Sequence, residues 1–413
     1  MFQSTISSKP QSLAGASLHG KIRAIADALC DNKDKVKESG LLSGDAGITL
    51  FFAYLSLAWP ESQYDELTQE WLEKLGDVLA RQRLDHNLST GVAGIAFVFQ
   101  HLRNLGLLDA SEDIGLAALD EMISRGGEQD LASGNWDPLH GLVGIGIYFI
   151  ERNKETHERK YLERIVDQLN ALAVMKKDDK VWITRGYLHY SGDNYNFGMA
   201  HGMPGLLSFL ARVYALGIRR SVIEELVPSC FSFLFDHYDE RGEWYGFPGS
   251  IELKPEPRPL PSRNGWCYGD LGMANALIHC GKALAREDWV ELGVRIALKT
   301  THIPFEASRC GDASFCHGAI GLVHQYNRLY RSTLNTGFKA AAAQWLMVTH
   351  EHYYRPDKFP GGYAYRKYDE PTRTYENVAS YGLLEGITGI GLVFLSCDAA
   401  LPPDWDIIFQ TNV

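Results

Sequence analysis

Seven stretches of the chain directly follow a pair of glycines spaced three residues apart, and most of them are apolar on nearly every helical face. Examples are ITLFFAYLSLAW after Gly47, LLSFLARVYAL after Gly205 and IGLVFLSC after Gly389. Because no turn residues interrupt these stretches at the length of a strand, the pattern predicts buried helices.

Amphipathic stretches rich in Glu, Lys and Arg alternate with the apolar ones. They predict a second set of helices, each with one solvated face. These stretches cover residues 64–81, 116–125, 157–175, 221–235, 288–300 and 339–350.

The glycine pairs mark an internal repeat. Their first members recur every 47 to 68 residues, at Gly44, Gly91, Gly141, Gly202, Gly269, Gly318 and Gly386. One unit is therefore a helical hairpin plus a loop of variable length, and such a period is typical of repeat architectures. We predict an all-α protein, an α/α toroid of seven helical hairpins with the apolar helices in its inner ring. We interpret the glycines as small residues that let neighbouring helices approach.

The repeats extend from near residue 40 to near residue 395, so we predict one closed domain at 16–413 after a flexible tail at 1–15. The longest loops, 176–197, 236–265 and 354–381, each precede a glycine pair. We expect them at the same end of the toroid, with a functional site there. The proline-rich segment 248–261 should be extended and irregular, and 180–190 should form a short strand or hairpin.

Composition excludes several classes of protein. The 413 residues carry a net charge of −11, which disfavours a nucleic-acid partner. No apolar run reaches the roughly 18 residues of a membrane span, and the start resembles no signal peptide. The seven cysteines are widely dispersed, as is usual in a reducing compartment. We predict a cytoplasmic protein.

Candidate chemistry emerges when positions are counted back from the first glycine of each pair. Cys267 and Cys316 both lie two residues before it, and His201 and His317 lie one residue before it. Equivalent positions in a toroid lie in one layer, so these side chains should converge. Two cysteines and one histidine are the ligand types of a catalytic zinc site with one open position. The remaining cysteines lack this placement and are expected in the core.

For three further residues a structural interpretation competes with a functional one. Asp137 lies four positions before its glycine, where it could act in the site or only cap a helix start. His140 also precedes a glycine pair, and we interpret it as a structural histidine. Arg263 could line the site or be a solvated loop charge.

At these residues the chain resembles the LanC family of lanthionine synthetase cyclases. The matching segments occur in family order and are WDPLHGLVGIG (136–146), AHGMPG (200–205), NGWCYGDLG (264–272), CHGAIG (316–321) and LLEGITGIG (383–391). The resemblance implies the sevenfold toroid and one zinc ion per chain.

The resemblance also implies roles for individual residues. It implies zinc ligation by Cys267, Cys316 and His317, and acid/base chemistry by His201 and Asp137. It places Arg263 in the pocket, with Trp266 and Tyr268 beside the metal as substrate-pocket residues. It implies no required residue at the position of His140.

The activity implied is intramolecular Michael addition. A cysteine thiol of a dehydrated precursor peptide, leader plus core, attacks dehydroalanine or dehydrobutyrine and closes a (methyl)lanthionine ring. His201 would protonate the enolate or deprotonate the thiol, and Arg263 would stabilise the enolate oxygen. The chain resembles the stand-alone cyclases of class I lanthipeptide pathways, so a complex with a dehydratase is a further expectation.

Other functions use some of the same features. A LanC-like protein could bind zinc and a thiol, of glutathione or a peptide, without closing a ring. A protein prenyltransferase subunit would need a basic cluster, and the converging segments offer only Arg263 and distant Arg185. A toroidal glycosidase would need two opposed carboxylates, for which Asp137, Asp270 and Glu385 are candidates, but it has no use for the cysteines and histidine.

Overall fold

The computed structural model describes residues 17–60, 62–109, 114–186, 192–254, 256, 259–398 and 401–413. Its helices are α1 (Ser17–Asp31), α2 (Asp45–Ala58), α3 (Tyr64–Arg81), α4 (Val92–Asn104), α5 (Leu116–Ser133), α6 (Leu142–Thr156), α7 (Lys160–Leu172), α8 (Met203–Ala215), α9 (Arg220–Phe235), α10 (Asp270–Ala283), α11 (Glu287–Thr300), α12 (Phe305–Ser308), α13 (Ala319–Thr333), α14 (Thr336–Tyr353) and α15 (Ile387–Asp398). Its strands are β1 (Val174–Lys176), β2 (Asp179–Val181), β3 (Asn194–Asn196), β4 (Ser250–Glu252), β5 (Pro259–Leu260), β6 (Tyr365–Asp369) and β7 (Thr374–Val378). Short 3₁₀ helices lie at Lys33–Lys35, Pro360–Gly362 and Asp404–Phe409. The predicted tail at 1–15 lies outside the described residues, and the domain boundary at 16 stays a prediction.

The seven apolar stretches form the inner helices. All seven begin directly after the first glycine of their pair; they are α2, α4, α6, α8, α10, α13 and α15. They are buried almost throughout; Leu50 and Phe51 of α2, for example, are fully inaccessible. In the described ranges, no helix combines the length and the apolar character that crossing a bilayer requires.

The amphipathic stretches form the outer helices α3, α5, α7, α9, α11 and α14. Each buries one face, as α3 does with Trp71, Leu75 and Val78, which are spaced three or four residues apart. The seventh outer helix is α1, which the sequence analysis did not predict. It packs against α15, so the first helix of the chain completes the last repeat. It was missed because it precedes the first glycine pair.

The inner helices close into a ring. Contacts join α2 to α4, α4 to α6, α6 to α8, α8 to α10, α13 to α15, and α15 back to α2. Between α10 and α13, the amide of Asn275 donates a hydrogen bond to Gln325 (3.2 Å). The predicted toroid is therefore confirmed.

A circle of backbone hydrogen bonds runs around one end of this toroid, which we call the mouth. We call the circle the turn ring; its members lie two residues before each first glycine and are Leu42, Ser89, Leu139, Ala200, Cys267, Cys316 and Leu384. Amide-to-carbonyl bonds run from Leu42 to Ser89 (3.0 Å), Ser89 to Leu139 (3.1 Å), Ala200 to Cys267 (3.3 Å), Cys267 to Cys316 (3.1 Å), Cys316 to Leu384 (3.1 Å) and Leu384 to Leu42 (2.9 Å). Only the step from Leu139 to Ala200, both described residues, lacks such a bond. Equivalent positions of the repeat thus meet in one layer.

The second glycine of most pairs mainly allows close packing within its own turn. A Cβ atom at Gly321 would clash with the carbonyl of Phe315, and one at Gly389 with that of Leu383, six residues earlier in each case. Atoms of the neighbouring turn are the next nearest to such a Cβ, as the Leu41 side chain is at Gly94. The proposed role in helix approach is therefore secondary to folding the turn back onto the start of its helix.

The long loops contain more regular structure than the sequence indicated. Strands β3, β4 and β5 form one antiparallel sheet, β1 pairs with β2, and β6 pairs with β7. The proline-rich segment is extended, as predicted, but it is not irregular throughout, because it contains β4 and β5. Pro259 is tolerated because β5 is an edge strand. In the predicted strand or hairpin at 180–190, residues 180–181 belong to β2 and Thr184 bridges Asn194, while 187–190 lie outside the described residues.

Candidate active site

Cys267, Cys316 and His317 meet at the mouth. One ligand atom from each, a sulfur from each cysteine and a ring nitrogen from the histidine, lies within 4.8 Å of the other two. The residues come from two repeats and are 50 positions apart at most. The convergence expected from their shared positions is present.

Local backbone structure explains the convergence. Cys267 and Cys316 are neighbours in the turn ring, and the amides of both Trp266 and Cys267 donate to the carbonyl of Cys316 (3.1 Å each). The turn after Cys267 requires glycine, because Gly269 has φ +122° and a Cβ there would clash with the carbonyl of Arg263. The two cysteine-bearing turns are therefore fixed to each other by the main chain.

The donor set suits a zinc ion. Zinc–sulfur bonds of about 2.3 Å and zinc–nitrogen bonds of about 2.0 Å place tetrahedral ligand atoms roughly 3.5–3.8 Å apart. Atoms within 4.8 Å of one another can reach that spacing with small side-chain rotations. Three protein ligands leave one position for a substrate atom.

Electrostatics favour an anionic sulfur at this point. The pKa of Cys267 lies well below its usual range, mainly because Cys316 donates a hydrogen bond to it. Burial acts in the opposite direction, and His317 and Arg263 lower the pKa further. The same hydrogen bond, together with burial, raises the pKa of Cys316. Burial lowers the pKa of His317, but its hydrogen bond to Cys267 and the charge there outweigh it, so the net shift is upward. The pair readily loses one proton, and a bound cation would stabilise the loss of the second.

Beside this group, His201 is held by Asp137. The Nδ1 atom of His201 lies 2.8 Å from a carboxylate oxygen of Asp137. The other oxygen accepts hydrogen bonds from the amides of Leu139 (2.8 Å) and His140 (2.9 Å). Asp137 thus supplies the acceptor at the one step where the turn ring has no backbone bond. Asp137 therefore caps its own turn with one oxygen and orients His201 with the other. The contacts expected of a capping residue and of a site residue are both present.

The two members of the pair shift each other's pKa. Burial lowers the pKa of His201, but the charge and hydrogen bond of Asp137 outweigh it, and the net shift is upward. Burial raises the pKa of Asp137, but His201 and the backbone amides outweigh it, and the net shift is downward. The side chain of His201 is 18% exposed, whereas that of Asp137 is 4% exposed. Among the described residues, nothing forms a hydrogen bond with Nε2 of His201.

His140 lies next to this pair. Its ring stacks on that of His201, with centroids 5.9 Å apart and planes 7° from parallel. Asp137, His140 and His201 also have ligand-type atoms within 4.8 Å of one another. The position one before the glycine, shared with His201, is the signal that placed His140 here, although the sequence analysis favoured a structural role.

Glu385 is a mouth residue that sequence reasoning did not assign to this site. It too lies one position before a first glycine, and it accepts a hydrogen bond from the hydroxyl of Tyr365 (3.0 Å). Burial raises its pKa. Tyr365 on β6 also faces the ring of His317, with centroids 6.2 Å apart. Asp270, the other glycosidase candidate, instead accepts from the amides of Gly246 and Phe247.

Arg263 lines a cavity of about 440 Å³ that also includes His317, which favours the site interpretation over a solvated loop charge. Arg309 and Arg366 line the same cavity. These two arginines come from the end of α12 and from the β6–β7 hairpin, outside the converging segments in which only Arg263 and distant Arg185 were expected. Arg185 instead pairs with Asp193.

Trp266 and Tyr268 flank Cys267 but contact different regions. The Trp266 indole is almost fully buried and donates to the carbonyl of Phe409 in the C-terminal 3₁₀ helix (2.7 Å). The hydroxyl of Tyr268 accepts a hydrogen bond from the side-chain amide of Asn196 (3.1 Å). Their assignment to the substrate pocket stays a prediction. The ring of Phe409 also stacks on that of Phe315, the residue before Cys316, with centroids 4.1 Å apart. The C-terminal 3₁₀ helix therefore packs against the turns that carry Cys267 and Cys316.

The other five cysteines occupy the positions expected of core residues or their margins. Cys230, Cys280 and Cys397 are buried on helices, and Cys30 is half-buried on α1. Cys310 is buried at the wall of the arginine-lined cavity, where burial raises its pKa to about 12.

Comparisons with known proteins agree with the toroidal fold. The family model described as lanthionine synthetase C-like protein matches residues 35–410. The nisin biosynthesis protein NisC of Lactococcus lactis subsp. lactis is 24% identical over 326 residues, covering 72% of this chain and 75% of the relative. The solved structure of a nisin cyclase superposes with a TM-score of 0.75 at 18% identity, covering 95% of this chain and 97% of that one.

Proposed function

The chain belongs to the lanthionine synthetase C-like family, and from this premise we propose that it is a zinc-dependent cyclase acting on a dehydrated precursor peptide. The observation that carries the proposal is the pairing of two groups at the mouth. A Cys267–Cys316–His317 donor set lies beside the imidazole of His201, whose Nε2 has no hydrogen-bond partner among the described residues. Two of the relatives to which the chain is similar are named for nisin biosynthesis and cyclisation.

The reaction joins a cysteine thiol to the β-carbon of dehydroalanine or dehydrobutyrine. The thiol loses its proton, the sulfur–carbon bond forms as the carbon–carbon double bond opens, and the α-carbon gains a proton. Cys267, Cys316 and His317 would hold a zinc ion, which would supply a Lewis acid that favours the thiolate form of the attacking cysteine.

His201 delivers the proton to the α-carbon. Its Nδ1 is fixed by Asp137, which leaves Nε2 as the nitrogen that would meet a substrate. The charge and hydrogen bond of Asp137 outweigh burial and raise the pKa of His201, which favours the imidazolium, the form that donates a proton. Asp137 acts through His201 and is a positioning residue.

Arg263 stabilises the negative charge that develops on the enolate oxygen. It lines the cavity that contains His317, and its charge lowers the pKa of Cys267. A fixed cation at this position favours anionic species in general, which is the requirement for an enolate-like transition state.

The experiment is cyclisation of a dehydrated peptide, followed by alkylation of unreacted thiols and mass spectrometry. Cys316→Ala and His201→Ala should each lower the rate at least about 100-fold, whereas Cys30→Ala, which removes a half-buried cysteine of the outer helix α1, should not. Undiminished cyclisation by both site variants would reject the assignment. Thiol binding without ring closure in the unaltered protein would instead favour the thiol-binding alternative.

Metal content gives a separate test of the ligand set. We expect about one zinc ion per chain by elemental analysis, and loss of most of it in Cys267→Ala but not in Cys30→Ala. Equal zinc in both variants would contradict ligation by Cys267. A leader-peptide site, a complex with a dehydratase and a cytoplasmic location stay predictions.

A further inference from the structure

The cavity beside the metal group has an unusual electrostatic lining. Arg263, Arg309 and Arg366 reach it from three separate segments, the turn before Cys267, the residue after α12, and β6. None of the three guanidinium groups lies within 4.0 Å of a carboxylate of the described residues. The chain as a whole has a net charge of −11, so three unpaired arginines around one cavity are a local exception.

The acidic residues of this cavity do not neutralise the arginines directly. Asp312 uses one carboxylate oxygen to accept from the amide of Ser314 (2.9 Å) and the other to accept from the amide of Arg366 (3.0 Å). Its carboxylate therefore anchors β6 to the loop before His317. Glu306 is exposed on α12.

The structure holds Arg366 in place. Its guanidinium lies over the ring of Tyr375, 4.3 Å from the centroid, and passes close to Gly311, where a side chain would crowd it. Arg309 has a left-handed backbone, φ +59°, which turns the chain sharply after α12. A guanidinium that is already positioned loses less conformational freedom when it binds an oxyanion.

Cys310 in the same wall is not a nucleophile. Its thiol donates to the carbonyl of Asp312 (3.4 Å), and its pKa is raised to about 12 by burial, so it stays protonated at neutral pH. The cavity is therefore suited to binding rather than to covalent chemistry.

We propose that this arginine-lined cavity binds a carboxylate of the substrate peptide, close to the residue that joins its thioether at the metal group. The inference rests on the proposed function, because the cavity shares His317 and Arg263 with that site. A peptide substrate offers carboxylates from two sources, an Asp or Glu side chain and its own C-terminus. Arginine binds either one through paired hydrogen bonds.

The test measures binding and cyclisation separately. Labelled peptides with alanine in place of dehydroalanine cannot react, so fluorescence anisotropy reports their Kd alone. Four peptides are compared, with Glu or Gln next to the cysteine and with a free or amidated C-terminus. The parent protein should bind the best carboxylate peptide about tenfold more tightly than the neutral one. If Glu binds more tightly than Gln, the bound carboxylate is a side chain; if the free C-terminus binds more tightly than the amidated one, it is the C-terminal carboxylate.

The double variant Arg309→Gln/Arg366→Gln should abolish this preference and leave the Kd of the neutral peptide unchanged. Arg373→Gln is the matched control, because Arg373 is also exposed and left-handed (φ +53°) but lies in the β6–β7 turn outside the cavity lining. Equal Kd values for all four peptides in the parent, or a uniform loss of binding in the double variant, would overturn the subsite.

Cyclisation of the dehydroalanine forms of the same peptides separates the two proposals. Discrimination between Glu and Gln in binding, with no ring formed from any peptide, would reject the cyclase and retain the subsite. Rings formed at equal rates from all four, with equal Kd values, would reject the subsite and retain the cyclase.

Discussion

The same chemical pair, an imidazole held by a buried carboxylate, occurs at both ends of the toroid. At the mouth, His201 lies 2.8 Å from Asp137; at the far end, where α4 and α6 finish, His101 lies 2.9 Å from Glu151. The distances are nearly equal, but the exposures are not. The side chain of His101 is 1% exposed and that of His201 is 18% exposed.

The second ring nitrogen separates the two pairs. In His101 it lies 3.0 Å from the hydroxyl of Tyr54, so both nitrogens are occupied by protein. Glu151 also accepts from Asn104 and pairs with Lys154. In His201 the second nitrogen has no protein partner within the described ranges. A histidine–carboxylate pair is thus a structural element unless one nitrogen remains available to a substrate.

The largest expected effect follows from this difference. His201→Asn should lower the cyclisation rate about 10²–10⁴-fold, because a positioned acid or base contributes that much to proton transfer. His101→Asn should change the rate less than about threefold at temperatures where it remains folded, because His101 faces no substrate. Both variants are assayed with the same dehydrated peptide. An equal loss in both would mean that the two pairs act only through stability.

The far-end pair should matter more for stability. Glu151→Gln keeps the side-chain shape but leaves His101 and Lys154 without a carboxylate, so the free energy of unfolding should fall by about 3 kcal/mol. Urea denaturation measures the change, with Glu73→Gln on the solvated face of α3 as the control. A shift no larger than that of the control would show that the network does not stabilise the fold.

The fold could be predicted from sequence because it depends on a repeated pattern. Glycine pairs and apolar stretches recur seven times, and the six outer helices found in the amphipathic stretches lie where they were expected. Helix α1 was missed because its place in the ring depends on the chain returning to its own start. The pairing of β3 with β4 joins residues well over 50 positions apart, such as Asn196 and Ser250, and leaves no local signal in the sequence.

The site was predictable to the extent that it uses equivalent positions of the repeat. Cys267, Cys316, His317 and His201 share such positions, and the turn ring brings them together. Arg309 follows the short helix α12 and Arg366 lies on β6, and neither occupies a position counted from a glycine pair, so no positional argument could find them. Sequence alone also could not show that Nε2 of His201 lacks a partner among the described residues while Nε2 of His101 meets Tyr54, because that difference depends on the packing around each ring.

The smallest expected effect concerns pH and compares His201 with a third pair, His324 and Asp406. Burial lowers the pKa of both histidines, and a carboxylate raises each. At His201 the carboxylate prevails and the pKa is raised; at His324 burial prevails, with help from the nearby charges of Arg328 and Arg331, and the pKa is lowered. Arg328 also pairs with Asp406, which reduces what that carboxylate can do for His324.

Opposite shifts require opposite pH dependence of stability. A histidine with a raised native pKa stabilises the fold fully below the unfolded value of about 6.5, and this contribution disappears as the pH rises through the native pKa. One with a lowered native pKa contributes above about 6.5 and loses the contribution as the pH falls toward its native pKa. His201→Gln should therefore cost more unfolding free energy at pH 5.5 than at pH 7.5, and His324→Gln should cost more at pH 7.5. Urea denaturation of metal-free protein at both pH values should show a difference of about 1 kcal/mol for each variant, and the same sign in both would mean that Asp137 does not hold His201 in its charged form.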